Sequence, residues 1–194
     1  MTQKTPAPVH LGALHHAAYR CRDAEQTRWF YEDVLGLPTA AALVLDTVPG
    51  TGAQNPYMHI FFELADGNYL AFFDAPGDAD PHWFDRKDSF DMHFAMQVDT
   101  EEQLLAMQER IRSFGIKCAG PLGHGFVNSL YMYDPNGIQV EITIRVPEHD
   151  AILAAEKRHL PETLRAWTER TRAAKIAKFG AEALDMRAAA PRKA

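Results

Sequence analysis

The sequence predicts an α+β fold of two tandem βαβββ modules followed by a C-terminal helical extension, and three observations carry that expectation. Two helices start and stop alike, the first capped by Asp23 and closed by Gly36, the second capped by Thr100 and closed by Gly115. Each is preceded by a strand whose histidine, His16 or His93, lies seven residues before the cap. Each module ends in a hairpin turn, Ala65-Asp66-Gly67 in the first and Asp134-Pro135-Asn136-Gly137 in the second. After Pro147 the chain changes character and reads as helix.

Residues 1–12 form a proline-containing lead-in, and the predicted domain covers 13–146, with modules at 13–75 and 90–146. In the first module Ala13–Cys21 is a strand. The following helix places Thr27, Phe30, Tyr31, Val34 and Leu35 at helical spacing. Strands follow at Ala42–Asp46, Ile60–Leu64 and Asn68–Asp74, and Pro76–Asp88 is a polar linker. The second module opens with Asp91–Val98, in which His93 shares the polar face with Asp91, Ala95 and Gln97. Its helix carries Gln103 three residues after Thr100, a capping box. The last two strands, Ser129–Tyr133 and Ile138–Val146, flank the Asn136-Gly137 turn. Alternation puts Val140 and Ile142 on the apolar face and Gln139, Glu141 and Thr143 on the other. The extension, 147–194, is expected to form helices at Asp150–His159 and Glu162–Phe179, which leaves a gap at 160–161.

Composition narrows the function classes. The 194 residues are 46% hydrophobic and 24% charged, as in ordinary globular chains. Residues 1–147 hold 10 basic against 19 acidic side chains, which argues against a nucleic-acid surface. The chain has neither an apolar run long enough to span a membrane nor an apolar signal core, so no membrane role and a cytoplasmic location are expected. Cys21 and Cys118 have no metal or redox spacing and are read as reduced thiols.

The stretch from His124 through Leu130-Tyr131, Asp134-Pro135 and Gly137 to Glu141 resembles the signature of type I extradiol ring-cleavage dioxygenases, members of the vicinal oxygen chelate superfamily. It departs from that signature at Leu122. The resemblance covers about residues 13–146 and implies a curved mixed sheet around a metal cleft. If the modules pack as pseudo-symmetric halves of that sheet, the cleft receives His16, His93 and Glu141, with Ala71 at the fourth equivalent position. Two imidazoles and one carboxylate suit Fe(II), with Mn(II), Ni(II) or Zn(II) as alternatives. His15 competes with His16, but the repeat puts His16 in phase with His93. The resemblance further implies that His124 acts as acid/base and that Tyr131 orients, or takes a proton from, the second hydroxyl. Asn68 aligns with a second active-site histidine of the larger extradiol enzymes, and Asn cannot shuttle a proton.

The expected activity is Fe(II)-dependent extradiol cleavage of a small aromatic diol with O₂, in a homodimer. One alternative is a glyoxalase-like isomerase or lyase, or an antibiotic-modifying transferase. Another is a non-enzymatic protein that binds an aromatic ligand or drug. Phe61, Phe62, Phe72, Phe73 and Phe126 are available for an aromatic pocket, although a core role is expected for most.

Overall fold

The computed structural model describes residues 10–86, 88 and 90–185. The fold is α+β, with two four-stranded mixed sheets. In the first module β1 is His16–Cys21, α1 is Ala24–Arg28, and β2 (Thr39–Thr47), β3 (Gln54–Glu63) and β4 (Tyr69–Asp74) follow. The second repeats the order with β5 (His93–Gln97), α2 (Glu101–Ser113), β6 (Ala119–Gly123), β7 (Val127–Tyr133) and β8 (Gln139–Arg145). The sheet orders are β1-β4-β3-β2 and β5-β8-β7-β6, so each module joins its first and last strands in parallel. The registers also repeat. Ala18 pairs with Ala71 and Ala95 with Glu141, which makes Ala71 the positional equivalent of Glu141.

The helix starts are as the caps dictate. The Asp23 side chain accepts from the Gln26 N–H, and Thr100 with Gln103 forms the full capping box. The first helix then widens into a π-helical segment, Trp29–Val34, in which the Leu35 N–H reaches the carbonyl of Phe30. Thr27, Phe30, Tyr31, Val34 and Leu35 are all buried.

One core serves both modules. Tyr31 lies against Phe62 and Phe72 of the first sheet, and Tyr19 of β1 stacks on Phe94 of β5 with ring centroids 5.4 Å apart. Leu104 and Ile111 of α2 join it with Leu130, Met132, Val140 and Ile142. This contact fixes which faces look outward. Strand alternation puts His16 on the side of β1 opposite Tyr19, and His93 opposite Phe94. Both histidine faces therefore point away from the shared core.

A buried polar staple holds that arrangement. The Tyr31 hydroxyl donates to Asp134 at 3.0 Å, and the Asn136 amide donates both to Asp134 and to the Thr27 hydroxyl. The second Asp134 oxygen accepts the backbone N–H groups of Asn136 and Ile138. From the other module the Arg22 N–H reaches the Asn136 side chain, and the Arg110 guanidinium caps the carbonyls of Asp33 and Val34. The turn read from sequence as a simple hairpin is thus also an anchor between modules. Gly137 is obligatory there: its φ is +77°, and a Cβ would lie 2.6 Å from the Phe84 carbonyl oxygen. Phe84 belongs to a short 3₁₀ turn, Pro81–Phe84, within the stretch expected to be a plain linker.

The chain divides into two compact units at Arg145–Val146. In the second unit α3 runs unbroken over His149–Phe179, followed by α4, Ala181–Asp185. The expected gap at 160–161 is absent. Proline there forfeits one backbone hydrogen bond, but the strong helix formers on both sides carry the helix through. Among the described residues no helix is long and apolar enough to cross a membrane. Cys21 and Cys118 are buried and unpaired, and burial pushes the Cys21 thiol up to about 12.

Tyr31→Phe is expected to destabilise the protein by about 1–2 kcal/mol, and Asp134→Ala, which orphans four donors, by about 3 kcal/mol or more. Denaturant unfolding measures both; a Tyr31→Phe variant as stable as the parent would contradict the staple. Burial outweighs the bonds Asp134 accepts and holds its carboxyl above the ordinary range. With a folded pKa above the unfolded one, its contribution is complete below about pH 4 and is lost as pH rises through the folded value. The stability of the parent relative to Asp134→Asn is therefore expected to fall as pH is raised above about 4.

Candidate metal centre

The outer face of the second sheet brings four expected residues together. β5 supplies His93, β8 supplies Glu141, and the neighbouring β7 supplies Tyr131, which pairs directly with Glu141. His93 Nε2 lies 2.9 Å from Glu141 Oε2, and the Tyr131 hydroxyl shares a 2.8 Å hydrogen bond with His124 Nε2. His124 sits in the tight connection between β6 and β7, where its N–H donates to the Val127 carbonyl. All four line one cavity of about 670 Å³, with Phe90, Leu122, Phe126 and Gln139 among its walls.

The contacts of the two His93 ring nitrogens bear on what this pair can hold. Nδ1 is 3.1 Å from the Phe90 carbonyl oxygen, which can only accept, so Nδ1 carries a proton. In a neutral ring Nε2 is then a lone pair facing a carboxylate. Two acceptors 2.9 Å apart repel unless a cation stands between them, either a proton or a metal ion. Two ligands about 2.1 Å from one ion and at right angles lie about 3 Å apart, so the spacing is compatible with a shared metal as well as with a direct imidazole–carboxylate hydrogen bond. The backbone bond to Nδ1 is the kind of contact that fixes a ligating tautomer. Glu141 is only 5% exposed, so a charge balancing it has to come from this face.

His16 is elsewhere. It lies on the outer face of the first sheet, with Nδ1 2.9 Å from His15 Nδ1 and its ring 6.0 Å from Phe61 and 6.5 Å from His59. Among the described residues no three His, Cys, Asp or Glu side chains converge on a common point. Within one chain the described residues therefore do not bring His16 together with His93 and Glu141, and the condition that its modules pack as two halves around a shared cleft is not met by one chain alone. The modules pack through the faces opposite their histidines, and the repeat that aligns His16 with His93 also separates them.

Asn68 lies immediately before β4, as expected. Its amide donates to Asp66 at 2.8 Å and its backbone N–H to the other Asp66 oxygen, closing the hairpin turn before β4. Burial, and secondarily Glu141, raise the Tyr131 phenol above its usual range. That suits a hydroxyl that donates and orients better than one that takes a proton. The five candidate phenylalanines separate: Phe62 and Phe72 are fully buried, Phe126 lines the cavity, and Phe61 and Phe73 share the outer face of the first sheet with His59. Two residues of this region carried only weak sequence signals. Phe90 contributes through its carbonyl, which no pattern can reveal. Gln139 is legible only as a face-mate of Glu141.

The fold is thus a paired-module α+β domain that presents a His93–Glu141 pair on one sheet face. The chain belongs to the Glyoxalase/Bleomycin resistance protein/Dioxygenase superfamily, which it matches over residues 13–142. Comparison with curated proteins gives no match. Among solved structures, a glyoxalase/dioxygenase from Nostoc punctiforme is 27% identical, with a TM-score of 0.53 over 75% of this chain and 99% of that one. A glyoxylase/bleomycin resistance protein/dioxygenase domain from Frankia sp. is 18% identical, with a TM-score of 0.58 over 73% and 99%. The fosfomycin resistance protein FosX from Listeria monocytogenes, complexed with Mn(II) and 1S,2S-dihydroxypropylphosphonic acid, is also 18% identical, with a TM-score of 0.52 over 73% and 99%. The last two speak to the fold alone.

His93→Ala and Glu141→Gln are each expected to lower affinity for Mn(II) or Zn(II) by roughly 100-fold or more, measured by anaerobic calorimetric titration. Unchanged affinity in both would show that any metal is held elsewhere.

Proposed function

We propose that the protein is a metal-dependent enzyme that opens a catecholic ring beside its two hydroxyls, an extradiol dioxygenase using Fe(II). The ion would be held by His93 and Glu141 of one subunit and His16 of the partner subunit. The observation carrying this reading is the adjacency, on one sheet face, of a cation-demanding His93–Glu141 pair and a hydrogen-bonded His124–Tyr131 pair. The first supplies metal ligands and the second a proton carrier with its positioner, the two functions that diol oxidation needs.

Completion by a second copy follows from the outward histidine faces. The face bearing His16 also carries Phe61, Phe73 and His59, and on β2 Leu43 and Leu45, which are 51% and 37% exposed. Such a surface is expected to be covered, and the cavity beside His93 lacks one ligand. The staple makes rearrangement within one chain the costlier solution.

When bound, Fe(II) would supply a Lewis-acidic centre that gathers both diol oxygens and O₂. The chain's own residues do the rest. His124 accepts a proton from the diol and returns it to the product, Tyr131 holds the His124 ring and orients the second hydroxyl, and Phe126 and Leu122 keep water from the ring. Both atoms of O₂ enter the product as the carbon–carbon bond beside the diol breaks.

One observation favours a second reading. With the Asn68 amide committed to Asp66, no second proton carrier stands where the larger extradiol enzymes have one. A glyoxalase-like isomerisation, or addition to an antibiotic, on the same donors would not need it.

Anaerobic reconstitution with Fe(II) followed by O₂ uptake on a panel of catechols tests the proposal. Uptake with a yellow ring-opened product, abolished by Glu141→Gln, is expected, and His124→Asn should lower kcat by about 10²–10³-fold with iron content unchanged. Iron bound without uptake on any catechol would transfer the assignment to the second reading.

A further inference from the structure

A second cavity of about 440 Å³ adjoins the one that holds His93 and Glu141. The two share Phe90, Ala119, Tyr131 and Gln139 as walls. Gln139 pairs in register with His93 and precedes Glu141 by two residues on the same face, so its side chain stands at the junction. Its amide oxygen is buried and has no hydrogen-bond partner among the described residues. An orphaned acceptor between two hollows is a group awaiting a ligand.

The second cavity is lined by Arg86, Asp88, Lys117 and Tyr133. The Arg86 guanidinium lies over the Tyr133 ring at 4.0 Å and is paired with Asp88, so these two charges cancel. Lys117 faces no carboxylate other than Asp88 within that lining. Among the described lining residues, Lys117, itself exposed, is the cation left without a carboxylate of its own, against aromatic walls and in a domain whose overall charge is acidic. An anionic arm would gain attraction from Lys117, whereas a cationic arm would be repelled by both Lys117 and Arg86.

We propose that this cavity is an anion subsite, and that the substrate carries a carboxylate on a short arm. The reacting diol sits beside His93 and Glu141, the Gln139 amide accepts a hydrogen bond from a substrate hydroxyl, and the arm passes Tyr131 to place its carboxylate on Lys117. The inference rests on the reading of the His93–Glu141 cavity as the reaction site.

The test is calorimetric binding under nitrogen, with Mn(II)-loaded and chelator-stripped protein. The probes are 3,4-dihydroxyphenylacetate against neutral 4-ethylcatechol, and phenylacetate against neutral phenylacetamide. The wild type is expected to bind each carboxylate at least about tenfold more tightly than its neutral partner. Lys117→Met should erase that preference while leaving 4-ethylcatechol unchanged, and Lys117→Glu should turn it toward the cationic 3,4-dihydroxyphenethylamine. Carboxylates bound no better than neutral partners, or a Lys117→Met variant that weakens both members of a pair equally, would overturn the subsite. A carboxylate preference that persists while catechol binding ignores the metal would instead overturn the diol reading and keep the subsite.

Discussion

The hydrogen bond from Tyr31 to Asp134 is the contact on which the remaining arrangement depends. Asp134 is 6% exposed and Tyr31 fully buried, so neither can find water if the other is lost. Around them Asn136 and Thr27 complete a polar cluster in the middle of an apolar core. Because Tyr31 comes from the first module and Asp134 from the second, the cluster sets the modules against each other. It turns the helix-side faces inward and leaves the His16 and His93 faces outward. The placement of the candidate ligands is thus a consequence of packing decided far from them.

The two modules have kept a common register and diverged in what they display. At equivalent positions the second sheet has His93, Tyr131 and Glu141, and the first has His16, Phe61 and Ala71. The second sheet is therefore polar and cation-seeking. The first is an aromatic surface, with His59 stacked on Phe73 at 3.7 Å and 4.2 Å from Phe61. Burial, and then the neighbouring His16, hold the His59 imidazole below its ordinary range, so it behaves there as a flat neutral ring. A ligand-poor aromatic wall and a ligand-rich polar wall are complementary. In the proposed shared centre the two walls together would suit a planar molecule bearing oxygen donors, which neither face makes alone.

The fold was largely legible in the sequence because its signals are local. The caps at Asp23 and Thr100, the turn residues around Gly67 and Gly137 and the alternation of β8 each act within a few residues. β6 was not legible: Ala119-Gly-Pro-Leu-Gly has neither alternation nor β-branched residues, and only pairing with β7 makes it a strand. The candidate site was legible in part. Alternation and the signature located His93, Glu141, Tyr131 and His124 together, since they lie on three adjacent strands and a loop. His16 was assigned by a symmetry that correctly gives its face but says nothing about which sheet that face meets. That depends on Tyr31, Asp134 and Tyr19, whose long-range contacts leave no trace in spacing. The Asp66-Gly67-Asn68 stretch carries a local turn signal, and the Asn68 amide and N–H both bond Asp66 there.

The central claim is that each complete metal centre is shared between two chains, and mixing two inactive variants tests it most directly. A His16→Ala chain retains His93 and Glu141, and a His93→Ala chain retains His16, so neither homodimer has an intact triad. Refolding them together should create mixed dimers with one complete site, recovering metal binding at up to about one site per mixed dimer. Recovery of tight metal binding only in the mixture is the expected result. If the mixture binds no more metal than the separate variants while the wild type binds tightly, the ligands belong to a single chain and the shared-site account is wrong.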